Sequence, residues 1–200
     1  CVLAVLFLAS FPAIGGLNDG LVLYYPFSTN AGAVAVDQSG TGNNGTVYGA
    51  TFSTNGRFGC AYEFVGSNDY IRIPASASMN TPDHFSLCAF FKTYNDREQR
   101  PILSWHEPTV AGVHMCTEIY GYQWQGRGTG AHMVGVDNNE HNLNHVISVS
   151  DPALNQWHYL VITYDRASGV GRLYLDGALA TEKNMGSYEP QMSLTAYVGA

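Results

Sequence analysis

Aromatic, amide and guanidinium side chains crowd into one glycine-rich stretch of this 200-residue sequence, Tyr120-Gly-Tyr-Gln-Trp-Gln-Gly-Arg-Gly-Thr-Gly130. Rings such as Tyr120, Tyr122 and Trp124 match the flat apolar faces of sugars, and each carries a polar handle. Gln123 and Arg127 supply hydrogen bonds to hydroxyl groups, and the glycines let backbone come close to a ligand. Trp105, ending an earlier apolar run with His106 beside it, completes the candidate ligand-binding set. The same Trp124 and Tyr122 could equally fill a core or cover the end of a sheet, and the residues by themselves leave both readings open.

A second stretch, Asp37-Gln-Ser-Gly-Thr-Gly-Asn-Asn44, has the oxygens a calcium ion takes: carboxylate, amide, and carbonyls on a glycine-rich loop. Asp37 and Asn43 are the candidate ligands here, with Asp69 of Asn68-Asp69 as a further one and Asp137-Asn138-Asn139 behind it. Turn chemistry explains the same residues without a metal, because Asn, Asp and Gly populate turns for conformational reasons. His141 and His145 have a four-residue spacing that converges on one metal only in a helix; in a strand their rings lie about 13 Å apart. Catalytic constellations are sparse. A glycosidase needs two carboxylates at a set separation, and Glu118 stands alone while Asp137 and Glu140 sit in a loop-like stretch. No Gly-x-Ser-x-Gly elbow appears either. The sequence therefore points to binding rather than catalysis.

The elements that must position these groups are strands. Charged residues make up 12% of the chain and hydrophobic ones 46%, too apolar for disorder, while 22 glycines and 13 tyrosines disfavour a helical fold. Phe85, Leu87, Ala89 and Phe91 alternate along Phe85–Lys92, and His158, Leu160, Ile162 and Tyr164 alternate against Trp157, Tyr159, Val161 and Thr163. Both faces of these runs are apolar enough for strands between two layers. Further strands are expected at Leu21–Phe27, Tyr70–Ile73, Ile102–Trp105, Val113–Tyr120, Met133–Val136, Val146–Val149, Arg172–Leu175, Ala178–Thr181 and Leu194–Val198. Asp165–Gly169 and Asp176-Gly177 are the hairpin turns of the late strands. The net charge of -7 would repel a phosphate backbone, which argues against nucleic acid as a partner.

Residues 1–16 read as a secretory signal lacking its basic start. Val2–Ala9 is a compact apolar run, too short to span a bilayer, followed by small residues around Ala13 and Gly15. A hydrophobic N-terminal strand is the competing reading. Export would place the protein in an oxidising setting, where Cys60, Cys88 and Cys116 allow one bridge in three ways, or three buried thiols.

Tyr24-Tyr-Pro-Phe27, Asp37-x-Ser-Gly-x-Gly-Asn-x-Gly-Thr46, Trp157-His-Tyr-Leu-Val-Ile-Thr-Tyr-Asp165 and Leu173-Tyr-Leu-Asp-Gly177 together resemble the laminin-G-like, concanavalin A-like jelly-roll domains. The resemblance runs from about Gly20 to Ala200. It implies a single all-β domain, 17–200, built as an antiparallel two-sheet jelly-roll sandwich. It also implies that a closing strand beyond Tyr197-Val-Gly199 is missing, which would leave Leu21–Phe27 as an open apolar edge. In this family the Asp37 loop, with the closing strand, often holds a structural calcium. The glucanase motif Glu-x-Asp-x-x-Glu is absent. The resemblance thus implies a secreted or cell-surface recognition domain, with carbohydrate binding or adhesion foremost. A protein-interaction module of an adhesin is the alternative, and a glycoside hydrolase or polysaccharide lyase the next. Glycan or extracellular protein would be the partner.

Overall fold

The computed structural model describes residues 2–8, 16, 18–94, 101–119, 128–136 and 146–199. Alternating apolar and polar residues give strands here and almost nothing else. In chain order these are β1 (Val2–Leu8), β2 (Leu21–Tyr25), β3 (Val34–Ala35), β4 (Gly45–Tyr48), β5 (Thr51–Gly56), β6 (Gly59–Glu63), β7 (Tyr70–Ile73), β8 (His84–Lys92), β9 (Pro101–Glu107), β10 (Val110–Ile119), β11 (Gly128–Met133), β12 (Val146–Val149), β13 (His158–Asp165), β14 (Val170–Leu175), β15 (Ala178–Asn184) and β16 (Ala196–Val198). Among the described residues a 3-10 turn, Ala77–Met79, is capped by the Ser76 side chain. Among the described residues no helix is long and apolar enough to cross a membrane.

The strands form two antiparallel sheets. Sheet A runs β15-β14-β13-β8-β1-β6-β5, with β2 also paired to β1, and sheet B runs β12-β11-β10-β9-β16-β7-β4-β3. Side chains that alternate toward the interior interlock between them. Sheet A sends in Leu23, Tyr25, Phe85, Leu87, Phe91, Leu160, Ile162 and Tyr164; sheet B answers with Ile71, Ile73, Leu103, Trp105, Val113, Met115, Met133 and Val198. This is the expected two-sheet jelly roll. Phe85, Leu87, Ala89 and Phe91 do share the core face, and so do His158, Leu160, Ile162 and Tyr164. The opposite face of β13 is only half-buried, so it lies on the outside of the sandwich and not between layers.

Hairpin turns follow the local chemistry. Asp176 and Gly177 both take positive φ, 53° and 88°, the geometry of a two-residue turn that matches strand twist. The Asp176 carboxylate holds that turn, accepting from the Tyr159 amide at 2.8 Å and pairing with His158 Nδ1 at 2.8 Å. His158 Nε2 lies 2.9 Å from the Ala153 carbonyl, so the ring ties three segments together.

Two expectations change. Val2–Leu8 forms a strand, paired with β8 along its whole length and with β2 from Val5 to Leu8. The apolar edge expected on Leu21–Phe27 is therefore occupied by β1. The strand expected at Met133–Val136 lies earlier, at Gly128–Met133, because the Gly-Thr-Gly-Ala run that looks like loop pairs with both β10 and β12. Cys60, Cys88 and Cys116 are free thiols; Cys60 and Cys88 belong to sheet A and Cys116 to sheet B.

Candidate functional site

The face of sheet B turned away from the core carries a row of rings. Strand alternation decides which residues stand there. Ser104 and His106 lie opposite Leu103 and Trp105, His114 and Cys116 opposite Val113 and Met115, and His132 opposite Ala131 and Met133. Tyr197 lies opposite Ala196 and Val198, and Tyr70 and Arg72 opposite Ile71 and Ile73. The register then brings them into line: Tyr48 pairs with Tyr70, Arg72 with both Thr46 and Tyr197, Tyr197 with Ser104, Ser104 with His114, and His114 with His132.

Neighbouring rings touch from one side of the sheet to the other. Ring centroids are 4.8 Å apart for Tyr48 and Tyr70, and 5.8 Å for Tyr70 and Tyr197. They are 4.3 Å apart for Tyr197 and His106, 6.0 Å for His106 and His114, and 6.1 Å for His114 and His132. All but the edge-to-face Tyr70–Tyr197 contact are stacked, with interplanar angles of 14° to 28°. Rings stacked across strands stand upright on the sheet, so the row offers its edges outward: phenol hydroxyls and imidazole nitrogens. Tyr48 and Arg72 are exposed, Tyr70, Tyr197, His106 and His114 half-buried, and His132 buried. One end of the row is open and the other covered.

Burial controls the charge of the histidines. It pushes His114 down to about 4, with His106 adding to the effect, and it lowers His106 as well, against the upward pull of Glu107. Both are neutral imidazoles at pH 7, each with one donor and one acceptor nitrogen. Ser104 Oγ lies 3.3 Å from His106 Nδ1. Glu107, at the end of β9, is held below the usual carboxylate range chiefly by the hydrogen bond from Thr195 Oγ1, at 2.6 Å, with Arg72 and His106 contributing. Arg72 is the one lysine or arginine on the strands of sheet B. Among the described residues no group of three or more His, Cys, Asp and Glu side chains could hold a metal ion.

The residues singled out from the sequence fall elsewhere. Tyr120, Tyr122, Gln123, Trp124 and Arg127 lie outside the described residues, as do Asp137–Glu140, His141 and His145. Gly128, Thr129 and Gly130, read as the end of that loop, are buried residues of β11. A Cβ on Gly130 would stand 2.0 Å from the Ile147 carbonyl oxygen, so glycine here serves close strand packing and not ligand approach. Trp105 is corrected: it is fully buried in the shared core, where it faces the opposite sheet and presents nothing to a ligand.

Asp37 is the centre of its own loop. Its two carboxylate oxygens accept from the amides of Tyr24 and Ser39 at 2.9 Å, the Asn43 amide at 2.9 Å, Ser39 Oγ at 2.8 Å and Thr41 Oγ1 at 3.1 Å. These bonds hold the carboxyl below its ordinary range although burial alone would raise it. Asn43 Nδ2 donates to the Val22 carbonyl, Thr41 Oγ1 and Ser78 Oγ. Asp69 belongs to a different turn, where it accepts from the amides of Val65 and Gly66. A calcium ion at Asp37 would have to displace donors already aimed at the carboxylate, so this donor set fits a self-satisfied turn and does not fit a metal centre.

The ring row escaped sequence reasoning because its members lie at positions 48, 70, 106, 114, 132 and 197. The usable signal was the polar phase of apolar strands, Ser104-x-His106 and His114-x-Cys116. A separate hollow of about 250 Å³ opens on sheet A. Its walls include Tyr24, Phe58, Phe90 and Tyr159; Arg57 lies over Phe58 at 4.9 Å, and Phe90 stacks on Tyr159 at 4.4 Å.

The sequence profile of the concanavalin A-like lectin/glucanases superfamily matches residues 65–200. Among solved structures, domain 4 of AbnA, a GH43 extracellular arabinanase from Geobacillus stearothermophilus in complex with arabinotriose, is similar over 90% of this chain and 82% of that one, with a TM-score of 0.63 and 16% identity. A Trypanosoma rangeli sialidase, solved with a difluorinated nononic acid, is similar over 98% of this chain, which spans 26% of the sialidase chain, with a TM-score of 0.54 and 16% identity. At these identities the likeness is one of fold. No curated protein sequence matches the chain.

Proposed function

Because the chain belongs to the concanavalin A-like lectin/glucanases superfamily, we propose that it is a glycan-recognition module that binds on the outer face of sheet B and acts without catalysis. One observation carries this reading: an open sheet face on which Tyr48, Tyr70, Tyr197 and His106 stand in contact with their polar edges outward. A sugar presents hydroxyls that donate and accept together. Phenol hydroxyls and neutral imidazoles do the same. Tyr48, at the open end, also has a ring face free of a further ring among the described residues, for stacking against a pyranose. These four rings sit on β4, β7, β16 and β9, three strand spacings or about 14 Å, the reach of a short oligosaccharide.

The arabinotriose bound to the similar AbnA domain supports the ligand class. That enzyme's extracellular setting supports a role outside the cell. Adhesion through surface glycans is consistent with the same face.

The test is glycan retention by the intact chain on an array, followed by affinity measurements on Tyr48→Ala and Tyr197→Phe. Tyr48→Ala removes an exposed stacking ring and is expected to weaken binding about fivefold, near 1 kcal/mol. Tyr197→Phe removes one edge hydroxyl while keeping the ring. Retention of no glycan, or unchanged affinity in both variants, would refute the reading.

A further inference from the structure

We propose that the glycan held on this face is acidic, with its carboxylate seated on Arg72 between Thr46 and Tyr197. This rests on the glycan reading above and goes beyond it by naming the charge of the ligand and the residue that selects it.

Position comes first. Arg72 is in the middle of β7, paired directly with Thr46 on one side and Tyr197 on the other, so the three side chains leave the sheet side by side on the ring-bearing face. Arg72 is exposed, and among the described residues its guanidinium makes no hydrogen bond or ion pair. The chain's other described arginines are engaged: Arg57 lies over Phe58, Arg166 pairs with Asp83 and Glu189, and Arg172 with Glu182. Glu107 is near enough to feel Arg72, yet its carboxylate takes the Thr195 hydroxyl and leaves the guanidinium donors unspent.

Chemistry comes second. Guanidinium donors match a carboxylate in a two-bond fork, with stronger bonds than a neutral pair makes. Around that fork stand the Thr46 hydroxyl and the tyrosine edges, suited to the hydroxyls of the same sugar. His106 and His114 are neutral at pH 7, and Arg72 is the one lysine or arginine on these strands. A single cation in a chain of net charge -7 suits isolated carboxylates. A densely sulfated chain would meet general repulsion instead.

The experiment compares carboxylated oligosaccharides (galacturonate, glucuronate and sialyl-terminated) with the same compounds methyl-esterified, on the intact chain and on Arg72→Gln and Arg72→Lys. The intact chain is expected to bind at least one acid about tenfold more tightly than its ester. Arg72→Gln should abolish that preference while leaving the melting temperature unchanged, and Arg72→Lys should restore it only in part. Equal binding of acid and ester, or a preference that survives in Arg72→Gln, overturns the assignment and leaves the glycan reading standing. Retention of neither acids, esters nor any neutral glycan overturns both.

Discussion

Replacing Asp37 with alanine tests how the loop between β3 and β4 is held, and with it the placement of β4 and Tyr48. Five donors converge on this carboxylate. Thr41 is exposed and Ser39 only half-buried, so their groups would turn to water. The Asn43 amide is buried and the Tyr24 amide half-buried, and losing their charged acceptor costs about 1.5–3 kcal/mol each. The expected destabilisation is about 4 kcal/mol. For a domain of this size that lowers the melting temperature by about 10 °C at pH 7. Asp37→Asn keeps one acceptor oxygen and should fall roughly midway. Because the folded carboxyl lies below its ordinary range, its contribution is full at neutral pH. It is lost as acid titrates the unfolded carboxyl, near about pH 4, and then the folded one. Circular dichroism melts of wild type and Asp37→Asn should therefore converge as the pH falls through and below the ordinary carboxylate range. A loss under 2 °C for Asp37→Ala, or a gap that stays constant with pH, would refute this reasoning.

Gly130→Ala drives a methyl group onto the Ile147 carbonyl and should separate β12 from β11, costing about 2–3 kcal/mol in urea unfolding at an unchanged m-value. A chain starting at Gly16 lacks β1, uncovers the edge of β8 from Ser86 to Lys92, and should melt lower and self-associate in sedimentation; equal melting as a monomer would show that β1 adds nothing. Millimolar calcium should leave the melting curve unchanged, since the Asp37 oxygens are already occupied by donors; a rise of several degrees would show that the loop rearranges around the ion.

Much of the fold was legible where one face of a strand is buried. Phe85, Leu87, Ala89 and Phe91 advertise their strand, and Asp176-Gly177 its turn, because period and turn chemistry are local properties. The β5–β6 hairpin was not legible. Thr51–Gly56 lies at the edge of sheet A with little buried, so Ser53, Thr54 and Asn55 show no alternation and read as loop. β11 was misplaced because glycines demanded by close strand packing look the same as glycines of a turn. The ring row was hidden for a different reason. Its residues come from six strands, and only register places His106 against Tyr197 or His114 against His132. The sequence drew attention instead to aromatic density in one segment, and so to Trp105, whose burial follows from its phase on β9.

Histidine-selective NMR of the intact chain, titrated with the glycan retained most strongly on the array, tests the central claim most directly. His106 lies in the open part of the row on sheet B, while His84 and His158 belong to sheet A and serve as internal references. The account predicts saturable movement of the His106 ring signals with those of His84 and His158 unmoved. Saturation that moves His158 or His84 while His106 stays fixed would place the ligand on the other sheet, at or near the hollow beside Phe58, and would contradict it.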